Sequence, residues 1–252
     1  MGTNPPLAHQ EVESAGFSIV HRVFEKAEVD HLINSLSTIC DQNGVRSRGG
    51  VYAIRNLLTL SPVIRVLACS LTVRSIAEEV LWGTALPVRA TLFDKTPEAN
   101  WLVPWHQDLT ICPAARLEVP GYGPWTRKAG LWHVQPPASV LERMLSVRIH
   151  LDDCSEHNGA LRLIPGTHRL GRLTAPQIVE TVRTSASKTC DVEAGGVLLM
   201  RPLLLHSSSA GFEASHRRVI HIDYASGELN GGLRWPTVSD HDAPPSDESV
   251  ES

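Results

Sequence analysis

The sequence lacks any apolar run long enough to cross a bilayer, and it opens without a charged-then-apolar leader. Pro6 stands where an N-myristoylation signal needs serine or threonine. Cysteine is sparse. The five residues Cys40, Cys69, Cys112, Cys154 and Cys190 are scattered, odd in number and form no CxxC pair. That pattern argues against a disulfide framework and suits reduced thiols, so a cytoplasmic protein is expected. No block of basic residues occurs, and five acids without a Lys or Arg fall in the last thirteen positions. The rest of the chain then holds 23 basic and 22 acidic residues and is almost neutral. Nothing in it attracts a phosphate backbone, and neither nucleic acid nor membrane is an expected partner.

What is present is an ordinary globular composition, 42% hydrophobic and 20% charged over 252 residues, enough for one sizeable core. Val29, Leu32, Ile33, Leu36 and Ile39 recur at helical spacing, and a second helical stretch covers about 62–81 with a break near Cys69–Ser70. After Pro87 the texture changes to short runs that read as strands: 88–95, 145–152, 160–164, 197–200, 203–206 and 217–224. Helices followed by short strands with Gly/Pro turns point to a mainly β sandwich or barrel with flanking helices. The expected organisation is a flexible N-terminus over 1–15, a single domain over 16–235 and an acidic disordered tail over 236–252.

Four HxD or HxE pairs occur where about one is expected by chance: His9/Glu11, His106/Asp108, His150/Asp152 and His221/Asp223. Context separates them. The first lies in the polar, Pro-rich N-terminus, and the last two lie inside alternating strand patterns, where a polar sheet face explains them. His106 follows Pro104 in NWLVPWHQDLTI, at a strand edge or turn that can open to a cavity. A further histidine, His206, follows far along the chain, and Arg217 stands eleven residues after it. Two imidazoles and one carboxylate on one face of a metal leave three positions open, as non-haem Fe(II) oxygenases require. A fork-shaped guanidinium nearby can clamp a dicarboxylate.

The segment EAGGVLLMRPLLLHSSSAGFEASHRRVIHIDYA joins a Gly-rich turn, an apolar strand, Pro-x-x-x-His, a Ser/Gly-rich turn and then arginine. It resembles the C-terminal signature of the phytanoyl-CoA dioxygenase family. RATLFDKTPEANWLVPWHQD, MLSVRIHLDDCSEHNGALRLIPGTHRLG and GFSIVHRVFEKAEVDHLINSL extend the resemblance from about Gly16 to Tyr224. It implies a double-stranded β-helix, or jelly-roll, barrel related to the cupins. It also implies Fe(II) on His106, Asp108 and His206, with O2 and 2-oxoglutarate as co-substrates. The dicarboxylate would then bind Arg217, with Ser208, Thr91 and Arg55 falling near co-substrate positions. The expected reaction is oxidation of a small-molecule C–H bond, with succinate and CO2 as co-products. A cupin-like metalloenzyme that does not use 2-oxoglutarate and a non-catalytic binding barrel are the alternatives.

Two features bear on the substrate. Many family members carry tryptophan where this chain has Arg148. If Ser146, Arg148 and His150 share the inward face of their strand, they offer a cation and an imidazole to an anionic or strongly hydrogen-bonding substrate. Pairing of Arg148 with an acid in the wall is the plainer explanation. Between the metal pair and the next strand, residues 112–138 form a long irregular segment rich in proline, with Trp125, Trp132 and His133. Its length and aromatic content suggest a substrate-covering lid.

Overall fold

Helices open the chain and then stack on one face of an antiparallel sheet. The computed structural model describes residues 5–39, 45–47, 51–96, 99–211 and 216–237. Residues 1–4, Cys40 and 238–252, most of the expected acidic tail, lie outside them. The first third comprises α1 (Pro5–Ala15), β1 (Phe17–Val20), α2 (Lys26–Ser37), β2 (Val45–Ser47), β3 (Val51–Ile54), α3 (Leu57–Leu60), α4 (Pro62–Cys69) and α5 (Leu71–Leu81). Then follow β4 (Leu86–Lys95), β5 (Val103–His106), β6 (Trp125–Lys128), β7 (Leu131–Val134), α6 (Ala138–Leu141) and β8 (Met144–His150). The last elements are β9 (Leu161–Leu163), α7 (Ala175–Thr184), β10 (Lys188–Thr189), β11 (Val197–Met200), β12 (His206–Ser208) and β13 (Arg217–Ala225).

A seven-stranded sheet in the order β1-β11-β8-β13-β4-β3-β2 faces a four-stranded sheet, β10-β9-β12-β5. This is the jelly-roll barrel expected of a mainly β chain with flanking helices. The large sheet shows why its strands read as they do. On β8, Leu145, Val147 and Ile149 join Ile220, Ile222 and Tyr224 of β13 in one apolar cluster with the helices behind, including Leu36, Leu57, Ile64 and Val73. Ser146, Arg148 and His150 alternate with them and face inward, as period-two strand geometry requires. A second apolar cluster, with Phe17, Leu161, Leu163 and Leu198, fills the barrel interior on the β1–β11 side. A third, with Val88, Ile111, Val134, Leu203 and Trp235, closes the side near the β6–β7 hairpin. Between these two plugs the interior stays polar.

The helical readings match α2 and the α4–α5 pair. The break falls at Ser70, whose hydroxyl accepts from the Val73 backbone N–H and caps α5. Three expectations are corrected. The first fifteen residues are not a flexible lead-in from Pro5 onward. Residues 5–15 form α1, in which Val12 reaches the core and His9 accepts a hydrogen bond from Trp82 Nε1 at 2.9 Å. The apolar run 203–206 is a buried turn whose strand begins only at His206, since Leu203 and Leu204 fill different apolar clusters. Residues 112–138 are not structureless: they contain the β6–β7 hairpin and the start of α6.

Candidate active site

The inner face of the large sheet is a grid set by strand register. Across β4, β13 and β8, Thr91, His221 and Arg148 lie side by side, and Arg89, Asp223 and Ser146 form the next row. Two rows in the other direction, Arg217 sits opposite Lys95. Of these, Arg89, Thr91, Lys95, Arg148, Arg217 and His221 line a cavity of about 280 Å³, whose opposite wall holds His106 and His206 of the small sheet and Asp108 just after β5. β12 pairs with β5 so that His206 lies directly opposite His106, which brings together two candidate ligands a hundred residues apart.

His106, Asp108 and His206 place one donor atom each within 4.8 Å of one another. His106 Nε2 is 3.9 Å and His206 Nε2 3.7 Å from the Asp108 carboxylate. Each histidine turns its other nitrogen to a backbone carbonyl two residues earlier: His106 Nδ1 to Pro104 O at 2.9 Å and His206 Nδ1 to Leu204 O at 2.8 Å. A carbonyl only accepts, so Nδ1 carries the proton and Nε2 presents a bare lone pair toward the shared point. Burial pushes the His206 pKa down to about 4, which keeps that imidazole neutral. The donor set fits a divalent iron held from one side.

Residues 12–219 match the family model described as phytanoyl-CoA dioxygenase (PhyH). The chain belongs to this family. It is a non-haem iron, 2-oxoglutarate-dependent oxygenase. No curated protein sequence matches it. Among solved structures, AviO1 from Streptomyces viridochromogenes Tue57 is 23% identical, covering 88% of this chain and 95% of that one with a TM-score of 0.62. EctD from S. alaskensis with 2-oxoglutarate and 5-hydroxyectoine is 17% identical over 86% of this chain and 74% of its own, with a TM-score of 0.68. The epimerase SnoN in complex with Fe3+, alpha ketoglutarate and nogalamycin RO is 16% identical over 98% and 92%, also at 0.68. At these identities the likeness is one of fold.

In this phytanoyl-CoA dioxygenase family member the residues singled out from sequence divide into two groups. Arg217, Ser208, Thr91, Arg55, Arg148 and His133 line the cavity with the three donors. Trp125, Trp132 and His150 do not. Trp132 packs edge-to-face on Trp125 and takes Arg116 and Arg127 over its ring, so the two tryptophans brace the hairpin. Lys128, Leu131 and His133 are the hairpin residues that reach the cavity. His150 is buried one row away from Arg148 with neither ring nitrogen bonded, and burial holds its pKa well below the ordinary range. Arg217 is 3% exposed, with Nε and Nη1 buried and unpartnered, whereas Arg218 points to the opposite face and forks onto Asp152 at 2.6 and 2.8 Å.

Sequence reasoning missed Lys95 and the partners of Arg148. Lys95 Nζ donates to Ser208 Oγ at 2.7 Å and to Ser209 O at 2.5 Å. Ser208 in turn donates its proton to Gly159 O at 2.8 Å, so its hydroxyl is already engaged. Gly159 has φ +84°, and a Cβ there would stand 2.6 Å from Ser209 O, which leaves glycine as the residue able to pass so close. Burial and the nearby Arg217 charge push the Lys95 pKa down to about 7. Arg148 does not pair with an acid among the described residues. Its Nη1 donates to His221 Nδ1 at 2.7 Å, and His221 Nε2 lies 2.9 Å from Asp223 Oδ1. Asp223, 2% exposed, also binds Arg89 Nε at 2.6 Å and Ser146 Oγ at 2.7 Å. The only sequence signal for this network was the strand alternation that put all of its members on one face.

Proposed function

We propose that the protein oxidises an unactivated C–H bond of a small-molecule metabolite, by hydroxylation, while 2-oxoglutarate is converted to succinate and CO2. The observation that carries this reading is Arg217: a buried guanidinium with two unpartnered nitrogens, lining the same cavity as a complete facial donor set. Iron with 2-oxoglutarate, when bound, supplies the activation of O2 that C–H oxidation needs.

The chain's own residues then divide the work. His106, Asp108 and His206 hold the metal on the wall formed by the small sheet. Arg217 receives the far carboxylate of 2-oxoglutarate through a charge-assisted fork, with the Lys95 charge beside it. Ser208 contributes by holding Lys95, and Thr91 and Arg55 border the same space. The hairpin residues Lys128, Leu131 and His133 shield the cavity from water on the open side. A cupin-like metalloenzyme working without 2-oxoglutarate, or a non-catalytic barrel, would have no use for a buried arginine with two nitrogens unpartnered among the described residues.

The test is direct. Purified protein should bind one Fe(II) per chain and release succinate from 2-oxoglutarate in the presence of O2 and a metabolite library. His106→Ala and His206→Ala should abolish both binding and turnover. Full iron occupancy in either variant, or absence of succinate across the library, would overturn the proposal.

A further inference from the structure

Arg148 carries a charge that no acid among the described residues pairs with directly. It is 6% exposed, its guanidinium stands 5.8 Å from the Phe93 ring centroid, and its Nε is buried without a partner. A guanidinium can only donate, so His221 Nδ1 must accept from it. The His221 proton therefore sits on Nε2 and is donated to Asp223. The Asp223 charge is already taken by Arg89, so Arg148 meets that carboxylate only through a neutral imidazole. Burial and the Arg217 charge lower the Arg148 pKa to about 10, and it stays protonated at neutral pH.

The charges of the loaded centre can be followed one by one. Iron brings two positive charges, Asp108 one negative and 2-oxoglutarate two negative, and Arg217, beside a Lys95 whose pKa of about 7 leaves it only partly charged, matches the single negative that remains. Arg148 is left over. A buried cation without a counter-charge is strongly unfavourable. Lys128 on the hairpin lines the same cavity and also pairs with no acid among the described residues. Both carboxylates of 2-oxoglutarate are already assigned, one to the metal and one to Arg217, so the missing anion has to come from elsewhere.

We propose that the substrate carries an anionic group, a carboxylate or a phosphate ester, and that Arg148 binds it beside the metal. Arg89, Asp223 and His221 act as positioning residues that hold the guanidinium on the cavity wall. The anion thereby fixes which carbon of the substrate faces the iron. This inference rests on the reading that metal and 2-oxoglutarate occupy the cavity.

The experiment uses the full chain loaded with Mn(II) in place of iron and with 2-oxoglutarate. Loading is verified first by the electron paramagnetic resonance of the metal and by calorimetry of the co-substrate. Failure at this stage counts against the functional reading, not against the anion site. Inorganic phosphate and acetate are then titrated separately, each followed by the relaxation that Mn(II) imposes on its phosphorus or carbon NMR signal. At least one anion should bind the loaded protein close to the metal. Arg148→Met should weaken that binding by about tenfold or more, while the affinity for 2-oxoglutarate changes by less than about threefold. Preference for phosphate assigns a phosphate ester, and preference for acetate assigns a carboxylate. If Arg148→Met does not fold, Arg148→Gln, which keeps a donor for His221 without the charge, takes its place. Three results would each overturn the proposal: neither anion binds the loaded protein, binding is unchanged in the variant because the anion sits on the metal itself, or the variant loses 2-oxoglutarate as severely as Arg217→Met does.

Discussion

Arg217 and Arg218 are adjacent in the chain and meet opposite environments. The period of the strand sends one into the cavity and the other to the outer face, where Asp152 holds it. Arg217→Ala should raise the Michaelis constant for 2-oxoglutarate at least about tenfold, because it removes a charge-assisted fork of about 1.5–3 kcal/mol. Arg218→Ala should leave that constant nearly unchanged; the reverse order in steady-state kinetics would contradict the assigned strand phase. Asp223 is the second residue whose removal is informative. It gathers bonds from Arg89, Ser146 and His221 while buried, so its loss leaves the Arg89 guanidinium without its counter-charge. Asp223→Asn should destabilise the fold by about 3 kcal/mol in chemical denaturation. A loss under about 1 kcal/mol would mean that cavity water screens the network.

At the scale of elements, the β6–β7 hairpin and β13 show how the site is built. The hairpin turns through Ala129 and Gly130 with φ of 50° and 79°, both positive as a tight two-residue turn demands. The side chain of Asn56 anchors this turn by donating to Ala129 O at 2.6 Å. Alanine is poorly suited to a left-handed backbone and asparagine tolerates it better. Ala129→Asn should therefore stabilise the protein by about 0.5–1 kcal/mol in thermal or denaturant unfolding. An unchanged or lowered stability would show that the turn is not under conformational strain. β13 supplies Arg217, His221 and Asp223 from one face while Ile220, Ile222 and Tyr224 on the other pack against the helices. One strand thus contributes to both the cavity wall and the core.

For the whole molecule, enclosing many polar groups has a pH signature. His133 is pushed down to about 4 by burial and by the charges of Arg89, Lys128 and Arg55, and burial holds His150 well below its ordinary value. Between about pH 4 and 6.5 the unfolded chain binds protons at these sites and the folded chain does not, so stability rises with pH through this window and is lost as pH falls. The melting temperature of metal-free protein should drop between pH 7 and 4.5, and His133→Gln should flatten the drop; an identical slope in the variant would remove His133 from the explanation. The sequence by itself singled out the candidate donors and the arginine, and it determined the mainly β architecture and the helix break at Ser70. Each of these rests on residues close in the chain or on a strand period, which local patterns record. It also placed Ser146, Arg148 and His150 on one face of β8. Only the tertiary structure decided what that face looks onto. A polar residue on a strand reads the same whether it faces water, a core or a cavity, so His221 and Asp223 could not be told from a solvated sheet face. Lys95 meets Arg217, and Arg148 meets His221, through register between strands far apart in sequence, and that pairing is set by how the barrel closes.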